Sequence, residues 1–203
     1  AVALVTNANT CVIDASTAHR VAPGWVFGIP ELASGQREAL RKAKRIANPG
    51  CHSTAFIALL RPLVDAGIVA RDLSVAATSI TGYSGGGKKM IAEYQAAGRA
   101  PQLDAPRPYG LKLSHKHVPE MMAYTGLTTK PVFMPIVGPF YKGLAVNVPL
   151  QLSQLKKGSD GAALVRAFER HYEGERFIRV MPLGDPSVTE PNFFDVQGSN
   201  DSN

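Results

Sequence analysis

The stretch Ile46-Ala47-Asn48-Pro49-Gly50-Cys51-His52-Ser53-Thr54-Ala55 reads as a strand end, a Pro-Gly turn and the start of a helix. Proline and glycine punctuate the chain, and the apolar run Ala55-Phe56-Ile57-Ala58-Leu59-Leu60 behind them has helical composition. Cys51 therefore stands at a helix start, where unpaired backbone N–H groups and the helix dipole favour negative charge. Such a place stabilises a thiolate and makes the sulfur nucleophilic. A buried, inert cysteine packing as a small hydrophobe is the competing reading, and position alone does not choose between them.

On the N-terminal side of this stretch, strand and helix alternate. Cys11-Val12-Ile13-Asp14 reads as a strand, and Ala1 to Thr6 as a short helical piece. Ser34 is a candidate cap for a helix from Gly35 to Lys44, whose Lys and Arg residues gather in its later half. Arg45 to Ala47 reads as a short strand. This is the pattern of the end of a parallel α/β unit. On the C-terminal side, a helix runs from Cys51 to Asp65 and is closed by Gly67. Strands are expected at Leu73 to Thr81, Val132 to Val137, Leu144 to Leu152, Phe177 to Met181 and Phe193 to Val196. A helix precedes Gly126, and Asp160 is placed to cap another from Gly161 to Tyr172. Val132–Val137 and Leu144–Leu152 are joined by the turn-like Gly138-Pro139-Phe140-Tyr141-Lys142-Gly143. The expected class is α+β, a mixed, mainly antiparallel sheet with helices on one face, preceded by the tail of an α/β domain. The expected division is 1–50 and 51–203.

A chain of 203 residues, 45% hydrophobic and 19% charged, has the composition of an ordinary globular protein. Its apolar stretches are too short to span a bilayer, and the first residues carry no basic n-region. Two cysteines, Cys11 and Cys51, do not make a disulfide framework and suit a reducing, cytoplasmic setting. The net charge of +6 is spread along the chain, which fits a small anionic substrate or cofactor at least as well as nucleic acid. No membrane or nucleic-acid partner is expected.

Gly82-Tyr83-Ser84-Gly85-Gly86-Gly87-Lys88-Lys89 follows a strand and precedes a helix. It resembles a nucleotide-hydrolase phosphate loop, but Lys89 stands where a magnesium-binding Ser or Thr belongs. A concave row of backbone N–H groups remains a plausible anion seat, and an ordinary flexible turn is the alternative. His115-Lys116-His117 offers two imidazoles, with Glu120 three residues beyond to orient one of them. No cluster of further ligands completes a metal site, so acid/base work or plain surface histidines are the readings left. A cysteine and a histidine distant in sequence can pair as thiolate and imidazole, and a thioester so formed can be hydrolysed, transferred or reduced.

Five segments taken together go further. Val12-Ile13-Asp14-Ala15-Ser16-Thr17-Ala18-His19-Arg20, the Cys51 stretch, Gly82 to Lys88, His115-Lys116-His117-Val118-Pro119-Glu120 and Phe194-Asp195-Val196-Gln197-Gly198 resemble, in order, the shorter type of N-acetyl-gamma-glutamyl-phosphate reductase. The resemblance implies the architecture shared by aspartate-semialdehyde and glyceraldehyde-phosphate dehydrogenases: a Rossmann domain for NADP and an α+β domain for catalysis and homo-oligomer contacts, as a dimer or tetramer. It implies Cys51 as nucleophile, His117 and His115 as acid/base candidates, Glu120 as the orienter of His117, and Ser84, Gly85 and Gly86 beside the cofactor. The substrate would be a small acyl phosphate. Arg20, Lys88 and Lys142 are candidates for its carboxylate or phosphate on charge alone. The same chemistry on aminoadipyl phosphate, a non-catalytic fragment and a cofactor-free cysteine hydrolase are the alternatives. The family's first Rossmann strand with its glycine-rich turn is not found here, nor is its returning C-terminal segment, so a larger protein trimmed at both ends is the expectation.

Overall fold

The computed structural model describes residues 2–185. Within them the chain builds two sheets. The smaller is wholly parallel, in the order β1 (Val12–Asp14), β3 (Arg45–Ala47), β2 (Val26–Phe27). Between β2 and β3 lies α1 (Gln36–Lys42). Its N-cap is Gly35 in a left-handed conformation, with φ 81°, and no side chain caps it, so the expected role of Ser34 is not realised. Glycine reaches that backbone region without the Cβ clash that penalises other residues.

The larger sheet is mixed, in the order β5 (Arg107–Pro108), β6 (Val132–Gly138), β4 (Ala76–Gly82), β7 (Leu144–Asn147). β4 and β6 run parallel over seven paired residues, while the edge strands β5 and β7 are antiparallel to their neighbours. The protein is α+β, as the pattern of elements indicates. The connection 138–143 is not a hairpin. β6 and β7 flank β4 on opposite sides, and the connection crosses the end of β4. Gly82 N–H donates to the Gly143 carbonyl, Tyr83 N–H to Phe140 and Ser84 N–H to Tyr141. Gly82 has to be bare here, because a Cβ would lie 2.6 Å from the Tyr141 carbonyl oxygen.

Helix α2 (Cys51–Asp65) is the axis of the core. Phe56, Leu60 and Leu63 on its inner face are at most 2% exposed and pack with Ala77 of β4 and Phe133 of β6. Val118 and Met121 of α4 (Val118–Thr125) and Ala167 of α5 (Gly161–His171) close the cluster. Pro62 lies inside α2 and has no N–H for the Ala58 carbonyl. The Tyr172 hydroxyl donates to that carbonyl at 2.7 Å, so the missing helical bond leaves no unpaired acceptor. Asp160 caps α5 as expected, its Oδ1 accepting from Ala163 N–H at 2.7 Å. Phe177 to Met181 is not a strand but irregular chain, and Phe193 to Val196 lies outside the described residues. β7 ends at Asn147 rather than at Leu152.

The two sheets are joined through side chains. Phe27 of β2 stacks on Tyr124 of α4 with ring centroids 3.7 Å apart. Tyr124 donates its hydroxyl to the Arg20 carbonyl at 2.6 Å.

Candidate active site

Cys51 is the first residue of α2, and Gly50 is its N-cap in extended backbone. The reading of a helix start behind Pro49-Gly50 holds, and Cys51 is exposed rather than buried as an inert core thiol would be. It opens on a cavity of about 290 Å³. The wall is built by five parts of the chain: Arg20, the segment Pro49 to His52, Thr81 with Gly85, Gly86 and Met90, Tyr109 with His115, Lys116 and His117, and Val137. Cys51, His115, His117, Arg20, Gly85 and Gly86, far apart in sequence, thus share one enclosure. Ser84, Lys88, Lys142 and Glu120 are not among its lining residues. Lys88 lies exposed near the start of α3 (Gly87–Gln95). Lys116, which charge reasoning passed over, is the lysine on the cavity wall.

Glu120 is 1% exposed, and its carboxylate is fully engaged. Oε1 accepts from Arg20 Nη1 at 2.8 Å; Oε2 accepts from Gly50 N–H at 2.9 Å and from Ser53 Oγ at 2.7 Å. The expected bond from Glu120 to His117 is not among these. The carboxylate instead ties down the N-terminus of α2, supplying from α4 the partner that the helix start lacks in its own sequence. Arg20 is buried with it and also donates to the Ala15 carbonyl at 3.0 Å. A substrate anion would therefore meet an arginine already paired with a carboxylate.

His117 is 4% exposed, and its Nδ1 has no hydrogen-bond partner among the described residues. Its ring lies so close to Gly50 that a Cβ there would sit 2.3 Å from Nε2 and 2.7 Å from Arg20 Nη1. Glycine before the cysteine is thus what lets the imidazole approach the helix start. Burial first, and then the neighbouring His115, His52, Arg20 and Lys116, depress its pKa to about 3. His115 is lowered too, by burial and then by Lys116.

His52 is the residue that sequence reasoning missed. Adjacent helix positions point about 100° apart, so Cys51 faces outward while His52 turns into the core at 3% exposure. Its Nδ1 is 2.8 Å from Ser79 Oγ of β4, and its Nε2 is 2.8 Å from the Tyr109 hydroxyl. Burial, followed by His115 and Lys116, lowers its pKa to about 4. Tyr109 is pushed up to about 12, first by burial and then by Cys51 nearby. The only sequence signal for this trio is that a polar residue follows Cys51 on the inward side of the helix. Its partners come from β4 and from the residue after β5, which no local pattern connects. Among the described residues no group of three His, Cys, Asp or Glu is arranged to hold a metal ion.

The arrangement suits attack by sulfur on an electrophilic carbon. An exposed thiol sits at a helix N-terminus and shares its cavity with neutral imidazoles and with the cationic side chains of Lys116 and Arg20.

Comparison with known proteins follows the same lines. Residues 51–203 match the family described as semialdehyde dehydrogenase, dimerisation domain. The N-acetyl-gamma-glutamyl-phosphate reductase 2 of Pseudomonas putida is 43% identical over 206 residues, covering 99% of this chain and 64% of the relative. The N-acetyl-gamma-glutamyl-phosphate reductase of Chelativorans is 49% identical over 175 residues, covering 85% of this chain and 55% of the relative. The crystal structure of aspartate semialdehyde dehydrogenase II from Vibrio cholerae superposes with a TM-score of 0.61 at 20% identity, covering 79% of this chain and 53% of that one. That likeness is one of fold. The chain spans less than two thirds of the length of these curated relatives.

Proposed function

The chain belongs to the family of semialdehyde dehydrogenase dimerisation domains, and on that premise we propose that it is the catalytic part of an NADPH-dependent N-acetyl-gamma-glutamyl-phosphate reductase of arginine biosynthesis. The observation that carries this reading is the shared cavity of Cys51, His117, His115 and Lys116 at the start of α2. In this reading residues 1–50 are the end of the cofactor domain and residues 51–203 the catalytic domain.

The anionic substrate raises the basicity of His117 above that in the empty cavity, His117 then takes the thiol proton of Cys51, and the sulfur attacks the γ-carbonyl carbon of N-acetylglutamyl phosphate. The carbonyl oxygen gains charge, then the C–O bond to phosphate breaks, leaving a thioester on Cys51. Lys116 and Arg20 offer positive charge to the departing phosphate. Gly85 and Gly86 present backbone without side chains to the cavity, and a Cβ at Gly85 would meet nothing nearer than Thr81 Oγ1 at 3.5 Å. Gly86 is covered by Met90, whose Sδ would lie 2.5 Å from a Cβ there, so the open backbone is at Gly85, and that stretch with Ser84 would hold a flat nicotinamide ring. A nicotinamide cofactor held beside Ser84, Gly85 and Gly86 would supply the hydride that takes the acyl carbon to the aldehyde level. His117 returns its proton, and Cys51 leaves the carbon as the semialdehyde departs. In the full-length protein, Cys51→Ser should abolish phosphate-dependent reduction of NADP+ by N-acetylglutamate semialdehyde. Near-normal activity in that variant would overturn the reading. Assaying N-acetylglutamyl and aminoadipyl substrates side by side fixes the acyl group.

We also read the protein as a homo-oligomer. Ile80, Val132 and Met134 are 37–42% exposed. They lie on the face of the central strands opposite the buried Ala77, Ser79 and Phe133, and a second copy is the partner that face fits.

A further inference from the structure

The proposed reaction uses Cys51 and His117 and leaves Ser79, His52 and Tyr109 without a part. These three form a continuous hydrogen-bonded chain from the middle of β4 to the cavity wall. Its proton order follows from counting donors and acceptors. Ser79 is wholly buried, and its one side-chain partner among the described residues is His52 Nδ1. A neutral imidazole has one N–H and one bare nitrogen. If Nδ1 carried the proton, the Ser79 O–H would be left in the core without an acceptor, at a cost of about 1–3 kcal/mol. Ser79 therefore donates to Nδ1, the imidazole proton sits on Nε2, and Nε2–H donates to the Tyr109 oxygen. With its oxygen already accepting from His52, the phenol keeps its own O–H for a partner outside the chain. Tyr109 lines the cavity that Cys51 shares, which is where that partner would come from.

We infer that Ser79 and His52 set Tyr109 as a hydrogen-bond donor aimed into the Cys51 cavity, where it stabilises the oxygen of the acyl group as the sulfur adds to its carbon. Tyr109 touches the substrate. His52 is a positioning residue that acts through Tyr109, and Ser79 fixes the tautomer of His52. No proton is consumed in this role. The phenol remains a phenol, which suits a hydroxyl whose ionisation the site suppresses. The inference rests on the acyl-phosphate reading for its substrate, but its proton order does not.

Two measurements on the full-length protein test it separately from that reading. Nitrogen NMR of labelled imidazoles in the resting protein near neutral pH should show His52 as the Nε2–H tautomer, reverting to a mixture in Ser79→Ala. An Nδ1–H ring, or a protonated one, overturns the inference whatever the protein catalyses. Steady-state kinetics form the second arm. Tyr109→Phe should lower kcat by about 10²-fold, the usual cost of one oxyanion donor, with KM little changed. His52→Leu should cost a similar factor, and His52→Leu/Tyr109→Phe should be no worse than Tyr109→Phe alone. His52→Gln, whose amide N–H can reach where Nε2–H stood, should recover part of the loss. Multiplying losses in the double variant, or a rise in KM without a fall in kcat, would assign His52 a merely structural role. Wild-type turnover, measured alongside, reports on the functional reading by itself.

Discussion

At the scale of residues, the site is defined by what is withheld from water. His52 and His117 are held neutral by burial first and then by the neighbouring His115, with pKa values of about 4 and about 3. In the unfolded chain each titrates near ~6.5. Between these limits the unfolded chain binds more protons than the folded one, so stability rises with pH there. The contribution is complete above about pH 6.5 and is lost as pH falls, by on the order of 1–2 kcal/mol per histidine at about pH 5. Urea midpoints should therefore drop between neutral pH and about pH 5, and the drop should shrink in His52→Gln. A midpoint independent of pH over that range would contradict the burial described for these rings. Gly50 gives a sharper test. With 2.3 Å between an added Cβ and His117 Nε2, Gly50→Ala should push the imidazole from the helix start. Activity should fall by about 10²-fold or more, as displaced acid/base groups cost, while far-ultraviolet circular dichroism stays native. Unchanged kcat would mean His117 is not needed at that position. The sequence placed Cys51, His115 and His117 together only through resemblance. It hid the true partners of Glu120, because Arg20, Gly50 and Ser53 approach from two other parts of the chain.

At the scale of elements, local signals were legible where they were chemical. The Pro-Gly turn before α2, the β3 strand and the Asp160 cap are each stated by a few adjacent residues. What was not legible depends on distant chain. The β6–β7 connection looks like a hairpin turn, but β4 is inserted between the two strands, and the parallel β4–β6 pairing decides where β7 can go. The strands β2 and β5 are two residues each and exist only because β3 and β6 offer edges to them. Pro62 in α2 shows the same dependence. A proline mid-helix argues for a break, yet the helix continues because Tyr172, 110 positions later, satisfies the stranded Ala58 carbonyl. Tyr172→Phe should lower stability by about 1–2 kcal/mol, the cost of an unpaired buried acceptor, without touching kcat. Chemical denaturation checks this, and a loss below a few tenths would mean that water replaces the hydroxyl.

At the scale of the whole molecule, a parallel three-stranded unit abuts a mixed sheet, and the candidate site lies where they meet. Arg20 comes from the first unit and Glu120 from the second, and their buried ion pair holds the start of α2 between them. Removing one partner of such a pair costs about 3–5 kcal/mol, so the site and the junction stand or fall together. The open face of the large sheet is the other feature of this scale. Val132→Glu/Met134→Glu should leave the fold intact and shift sedimentation towards a monomer, and an unchanged sedimentation coefficient would remove that face from the assembly. The central claim remains chemical: Cys51 accepts the acyl group. The most direct measurement is intact mass of the full-length protein after brief exposure to N-acetylglutamyl phosphate without NADPH, followed by acid quench and peptide mapping. The account predicts one N-acetylglutamyl adduct, on the peptide carrying Cys51, discharged by NADPH and absent in Cys51→Ser. An adduct on another residue, or none while the wild-type protein turns over, would contradict it.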